Sequence, residues 1–235
     1  MTIIPAIDII DGKCVRLTKG DYATKKVYSE DPLAVAKQFE EAGLKRLHLV
    51  DLDGARTGKP ANLKILETIA ANTDLQIDFS GGIHSQKLVN EAFNAGAWYI
   101  TLGSIAARSE TLVSGWIRAF GADRFIIAAD VQEEKVMIRG WTEPTGLLVY
   151  DLIERYKAIG VKHFMCTDIA RDGMLKGPSV NLYAKILKLH KGISLIGSGG
   201  VATTADVKKL KSTGCSGAII GKAIYENKIK LSELC

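Results

Sequence analysis

Eight short, nearly continuous apolar runs alternate along the chain with longer amphipathic stretches. The runs cover Thr2–Asp8, Arg46–Asp51, Leu75–Phe79, Trp98–Leu102, Arg124–Asp130, His163–Asp168, Ser194–Gly197 and Gly217–Gly221. They are too short for helices and show little polar alternation, the pattern of parallel strands covered on both faces. The stretches between them read as helices with recognisable ends. Asp31 is placed to cap a helix, Pro32 to open it and Gly43 to stop it. Ser85 caps a second helix running to Gly96, and Thr203 or Thr204 a third running to Gly214. Strict strand–helix alternation predicts either a doubly wound open sheet or a closed (β/α)8 barrel.

The second half of the chain repeats the first. Gly81-Gly82-Ile83 is answered 118 residues later by Gly199-Gly200-Val201, and Gly103-Ser104 by Gly221-Lys222. One residue less carries Val50-Asp51 onto Thr167-Asp168. Pro5-Ala6-Ile7-Asp8 has its counterpart in Ala128-Ala129-Asp130. This period is far longer than a solenoid unit. Two four-strand halves close one ring without an exposed edge, so the expectation is a single TIM barrel domain over residues 1–235.

In such a barrel the active site gathers at the C-terminal ends of the strands. Asp8 and Asp130 end the first and fifth runs, which lie opposite each other in an eight-stranded ring. A lone strand-end aspartate more often caps the following turn; two related by the repeat point to a shared mouth. Asp51, Asp53, Asp168 and Asp172 follow the second and sixth runs, where some hold the loops in shape. Thr167 stands where the first half has Val50, a hydroxyl contact present in one half only. Gly81-Gly82 and Gly199-Gly200 each lie between a strand and a capped helix. Bare backbone N–H groups and a helix N-terminus suit phosphate there, with Gly103-Ser104 and Gly221-Lys222 completing the two cradles. The plainer reading is tight turns that need glycine for backbone reasons alone. Gly197 to Ala202 also fits a dinucleotide fingerprint, but no acidic residue follows at the spacing a ribose contact needs.

Composition narrows the class. Of 235 residues, 47% are hydrophobic and 24% charged, which suits a globular protein with a full core. The net charge of +5 is modest, and the basic cluster Lys208, Lys209 and Lys211 lacks aromatic interleaving, so no nucleic-acid partner is expected. Cys14, Cys166, Cys215 and Cys235 form no metal-ligand spacing with each other or with the four histidines. No metal is expected, and the thiols read as reduced. The chain opens directly on a strand-like run and has no long apolar stretch, so no membrane contact and a cytoplasmic location are expected.

Taken together, these residues resemble the ProFAR isomerase family of histidine biosynthesis. The resemblance rests on Ile4 to Tyr22, on His48-Leu49-Val50-Asp51-Leu52-Asp53-Gly54-Ala55 and on Thr167 to Leu175, and it spans essentially the whole chain. It implies a barrel without metal or organic cofactor, turning a bis-phosphorylated aminoaldose into an aminoketose by an Amadori rearrangement. The family's general base falls on Asp8 and its general acid on Asp130. Arg16, Trp141, Thr167 and Asp172 fall on positions associated with substrate handling. Burial is expected to raise the pKa of Asp130, and Arg16 to keep Asp8 ionised. A loop carrying Arg139-Gly140-Trp141 is expected to close over substrate, with the indole against an imidazole ring. Three positions depart from the family pattern: Ser80 for glycine, and His84 and Lys222 for arginine. The alternatives are a dual isomerase also serving tryptophan biosynthesis, the sister cyclase, and a non-catalytic phosphosugar-binding barrel. The expected partner is a small bis-phosphate acted on by a monomer.

Overall fold

The computed structural model describes residues 1–234, so Cys235 lies outside the described residues. Eight strands form a closed ring: β1 (Thr2–Ile10), β2 (Arg46–Asp51), β3 (Gln76–Ser80), β4 (Tyr99–Leu102), β5 (Phe125–Gln132), β6 (His163–Asp168), β7 (Ser194–Ser198) and β8 (Gly217–Ile220). Each pairs in parallel with the next. The last returns to the first through Thr2↔Gly217 to Pro5↔Ile220. Helices cover the outside, and the (β/α)8 barrel is established. None of those helices is long and apolar enough to cross a membrane.

The apolar pattern locates every barrel strand, with two systematic errors. Leu75, Trp98 and Arg124 precede their strands, and β1 and β5 run two residues past Asp8 and Asp130. Those extensions exist because each strand continues into a β-hairpin that the pattern does not predict. Lys13–Thr18 and Asp21–Ser29 follow β1; Lys135–Ile138 and Glu143–Leu148 follow β5. The pairings Asp8↔Val15 and Val131↔Val136 join them to the barrel. Both hairpins stand at the mouth with largely solvated outer strands, so neither shows the one-sided burial that writes period two into a sequence. Residues 139–141, expected as an open loop, are the turn of the second hairpin, with Arg139 and Trp141 in the left-handed region.

The helix ends follow the sequence closely. Asp31 accepts from Ala34 N at 3.0 Å with Pro32 in the first turn, and Ser85 accepts from Leu88 N at 3.3 Å. Thr203 and Asp206 form a reciprocal capping box. The core has two layers. Ile7, Ile9, Leu47, Leu49, Phe79 and Phe164 belong to the layer between sheet and helices. Ile4, Ala6, Ile126, Ala128, Met165, Ile196 and Ile219 fill the barrel interior. Side chains alternate along a strand. Asp8 therefore continues the inward series Ile4–Ala6, and Asp130 the inward series Ile126–Ala128, each one step above the packed interior.

Candidate active site

Of the residues singled out by sequence, Asp8, Arg16, Gly81, Gly82, Gly103, Ser104, Asp130, Trp141, Thr167, Asp172, Gly199, Gly200, Gly221 and Lys222 line one cavity of about 1230 Å³ at the C-terminal mouth, whereas Asp51, Asp53 and Asp168 do not. The Gly-Gly turns obey the repeat in atomic detail. A Cβ at Gly81 would lie 2.1 Å from the Asp51 carbonyl oxygen, and one at Gly199 would lie 3.1 Å from that of Asp168. At Gly82 the obstacle is the Lys59–Pro60 peptide at 2.7 Å, and at Gly200 the Gly177 carbonyl oxygen at 2.3 Å. Backbone packing alone thus requires glycine at 81, 82 and 200, all at positive φ. Gly103 is different. A Cβ there would meet nothing within 4 Å, so its backbone lies open to the cavity. Gly103 and Gly221 share an uncommon conformation, φ −97° with ψ −103° and φ −114° with ψ −90°. Each ends a strand and begins the next helix.

Asp8 and Asp130 sit in unlike surroundings. Arg16 reaches Asp8 from the first hairpin, donating from Nη1 to Oδ2 at 2.8 Å and from Nη2 to the Ala6 carbonyl at 2.5 Å. Its guanidinium stacks on Tyr225 at 5.4 Å. It also fills the space beside Gly221, where a Cβ would stand 2.1 Å from Nη2. The ion pair is largely shielded, with side chains 13% and 15% exposed. Asp130 has no cationic partner of this kind. Burial pushes its carboxyl above the ordinary value, against hydrogen bonds from Trp141 and Thr167. The Trp141 indole N–H donates to Asp130 Oδ2 at 2.8 Å. Burial favours the protonated form of an acid with no cation beside it, which is the direction a proton donor needs.

The two hairpins meet over the cavity. A Cβ at Gly20 would come within 2.8 Å of the Trp141 ring, and Arg139 N donates to Ser104 Oγ at 3.2 Å. Trp141 is therefore anchored between the first hairpin and Asp130. Asp172, in the turn after β6, has a pKa raised to about 6 by burial, opposed by Arg16 and reinforced by Asp8 and Asp130. Lys222 Nζ donates to the Gly173 carbonyl at 2.8 Å, which ties the eighth loop to the sixth. His84 lines the wall near Arg108, and burial together with that guanidinium lowers its pKa. Asp51 holds its loop, accepting from Gly54, Ala61 and Asn62 backbone N–H groups. Asp168 holds its own loop, accepting from the Ala170 backbone N–H and the Ser179 hydroxyl. Among the described residues no group of three or more His, Cys, Asp and Glu side chains is arranged to hold a metal ion. Cys14, Cys166 and Cys215 are buried and unpaired.

Two cavity residues are not singled out by the sequence as individuals. His48 lies inside a recognised motif but is hidden among apolar neighbours; counting by twos from Arg46 and Val50 turns it inward. Arg108 sits at the end of the short helix Ser104–Arg108, where only the fold brings it to the wall.

A closed barrel with two strand-end carboxylates and two repeat-related glycine turns around one mouth defines an enzyme of the (β/α)8 class. Residues 2–230 match the family described as Histidine biosynthesis protein, and the chain belongs to that family. It is 55% identical to a protein of Flavobacterium psychrophilum, across 100% of this chain and 97% of that one. It is 52% identical to one of Flavobacterium johnsoniae, across 100% and 98%. It is 51% identical to one of Parabacteroides distasonis, across 99% and 97%. All three relatives carry the name 1-(5-phosphoribosyl)-5-((5-phosphoribosylamino)methylideneamino)imidazole-4-carboxamide isomerase, that is, ProFAR isomerase.

Proposed function

We propose that this chain is an aldose–ketose isomerase of histidine biosynthesis, converting ProFAR to PRFAR by an Amadori rearrangement. The observation that carries the reading is the unlike pair of opposed carboxylates, one held by arginine and one buried without an ion-pair partner. Acting as general acid, Asp130 protonates the furanose ring oxygen, and the ring opens to an iminium. Asp8, held by Arg16, acts as general base and takes the proton from C2 to give an enolamine, which collapses to the ketone as C1 is protonated. Gly81, Gly82, Gly103 and Ser104 receive one phosphate; Gly199, Gly200, Gly221 and Lys222 receive the other, four strands away. A substrate phosphorylated at both ends would span the mouth and hold its reacting ribose between the two aspartates. Thr167 and Trp141 orient Asp130, and Asp172 shares the wall with Arg16. The chain works as one barrel domain and a monomer, in the cytoplasm, on a small molecule rather than a nucleic acid.

The test is incubation of the purified protein with ProFAR and, separately, with phosphoribosylanthranilate. Consumption of ProFAR alone is expected; turnover of both would make it a dual isomerase, and binding without turnover a non-catalytic barrel. Asp8→Asn and Asp130→Asn should each lower kcat by ~10²–10⁴, the usual contribution of a general acid or base, with substrate binding retained. Near-normal turnover in either variant refutes its assignment.

A further inference from the structure

The two halves share their backbone but not their interior. Beneath the mouth, the second half presents Met165, Ile196 and Ile219 to the barrel axis. The repeat-matched positions in the first half are His48, Asp78 and Thr101, all buried. Asp78 is fully buried and accepts from Thr101 Oγ1 at 3.0 Å. It pairs with Arg46 Nη2 at 3.4 Å and with His48 Nδ1. Arg46 comes up from the N-terminal end of β2 and stacks on Tyr99 at 4.6 Å. Removing a carboxylate, a guanidinium and an imidazole from water is costly, and apolar replacements of similar volume are often neutral or stabilising. The second half realises that apolar solution in the same barrel, so packing does not explain the polar one.

The cluster fixes one feature of the cavity floor. Burial alone would raise the Asp78 carboxyl, but His48, Arg46 and Thr101 together hold it below its ordinary value. An ionised carboxylate only accepts, so His48 must carry its hydrogen on Nδ1. Nε2 makes no bond to protein among the described residues, and the ring lines the cavity one step below the carboxylate level. The other ionisable groups around it are Asp8 on β1, Asp130 on β5, Asp172 after β6 and His163, whose ring packs edge-on against Tyr99.

We propose that His48 is a third catalytic residue, contacting the oxygen on the ribose carbon that becomes the carbonyl, and that Asp78 is the residue that positions it. This rests on the isomerase reading above. As the enolamine becomes the ketone, C1 takes back the proton held by Asp8 and the C2 hydroxyl must lose its own. Nε2 accepts that proton: the O–H bond breaks, its electron pair forms the C=O bond, and an N–H bond forms. Asp78 stabilises the resulting imidazolium, as an aspartate does for the histidine of a hydrolase triad. The proton then passes to the Asp130 carboxylate, restoring the acid for the next turnover.

The experiment compares kcat, KM and the pH dependence of kcat on ProFAR for the full-length enzyme and its His48→Leu, Asp78→Asn and doubly substituted variants. His48→Leu should lower kcat by ~10²-fold, within the range for proton-transfer groups, with KM and melting temperature nearly kept. Asp78→Asn should lower kcat by a smaller factor, displace a limb of the kcat–pH profile, and add nothing in the His48→Leu background. Nitrogen-15 spectra of the His48 ring should show hydrogen on Nδ1, lost in Asp78→Asn. Should Asp78→Asn unfold because Arg46 is left unpaired, the Asp78→Asn/Arg46→Met variant gives the same comparison. Normal kcat in His48→Leu, or additive losses in the double variant, overturns the proposal. An unmodified enzyme inert towards ProFAR overturns instead the functional reading beneath it, while the ring spectra still report the Asp78–His48 coupling.

Discussion

Replacing Asp172 by asparagine should stabilise the protein, and by an amount that grows with pH. The carboxyl's pKa is raised from 3.8 to about 6, first by burial and then by Asp8 and Asp130, against the opposing charges of Arg16 and Lys222. A carboxyl whose folded pKa lies above its unfolded one favours the folded state fully below the unfolded value. That advantage disappears as pH rises from about 3.8 through about 6, and above this the folded protein carries the whole cost of an ionised Asp172. The interval between those two values corresponds to about 3 kcal/mol, at ~1.4 kcal/mol for each step of one in pH. Because the side chain borders an open mouth, solvent screening makes that a ceiling. The isosteric amide removes the charge but not the volume, so its gain should be at most about 1 kcal/mol at pH 4.5 and about 3 kcal/mol at pH 7.5. Urea unfolding of both proteins across this range, at fixed ionic strength, measures the difference. A gain that is flat with pH, or largest at the acid end, refutes the reasoning. Activity should fall in the same variant, because the destabilising charge lies on the cavity wall.

Three further outcomes follow from the mouth. Trp141→Phe removes the indole donor that lowers the Asp130 pKa, so that pKa should rise further and the alkaline limb of kcat should move to higher pH; an unmoved limb would show that the hydrogen bond is absent in solution. Gly103→Asp has room for its side chain and supplies an N-cap carboxylate, so melting temperature should hold while phosphate-bearing ligands bind ~10-fold or more weakly through like-charge repulsion. Gly200→Ala, by contrast, drives a Cβ into the Gly177 carbonyl and should cost more than ~2 kcal/mol of stability from backbone strain; the sequence alone suggests that charge placed at Gly82 or Gly200 leaves the fold intact, and the geometry reverses that expectation.

The barrel was legible because its strands are buried on both faces and its helices are punctuated by caps with few alternatives: Asp31-Pro32, Ser85, Thr203 with Asp206. The hairpins were not, because Asp21–Ser29 is almost wholly solvated and Glu143–Leu148 carries Pro144 on an outer strand. Their register is set by β1 and β5, not by their own side chains. Asp8 and Asp130 could be found in the sequence because period two and the repeat both select them. Arg16 could be placed beside Asp8 only once the hairpin had folded back over β1. The Gly-Gly turns were legible as turns, but not their packing: contact with the Asp51–Pro60 and Asp168–Gly177 segments demands glycine at three of the four positions whatever the backbone N–H groups bind.

Two identical half-barrels would give two carboxylates of one pKa, and an aldose–ketose isomerisation needs one acid and one base. The differences between the halves are therefore where the chemistry should be sought. Each hairpin sends one side chain back to the aspartate that precedes it, but the residues are different. From the first hairpin Arg16 brings a positive charge against Asp8; from the second Trp141 brings only a neutral donor, leaving Asp130 to the effect of burial. Thr167 and Val50 differ in the same sense at the ends of β6 and β2. The interior repeats the asymmetry one layer down, with His48–Asp78–Thr101 against Met165–Ile196–Ile219. Exchanging Arg16 for a neutral side chain should accordingly do more than remove one ion pair. It should release the Asp8 carboxylate from the position in which Nη1 holds it, while leaving the Trp141–Asp130 contact in place. Arg16→Met should therefore lower kcat by ~10-fold or more, within the range for a misplaced proton-transfer group. A near-normal kcat would mean that the arginine does not position the base.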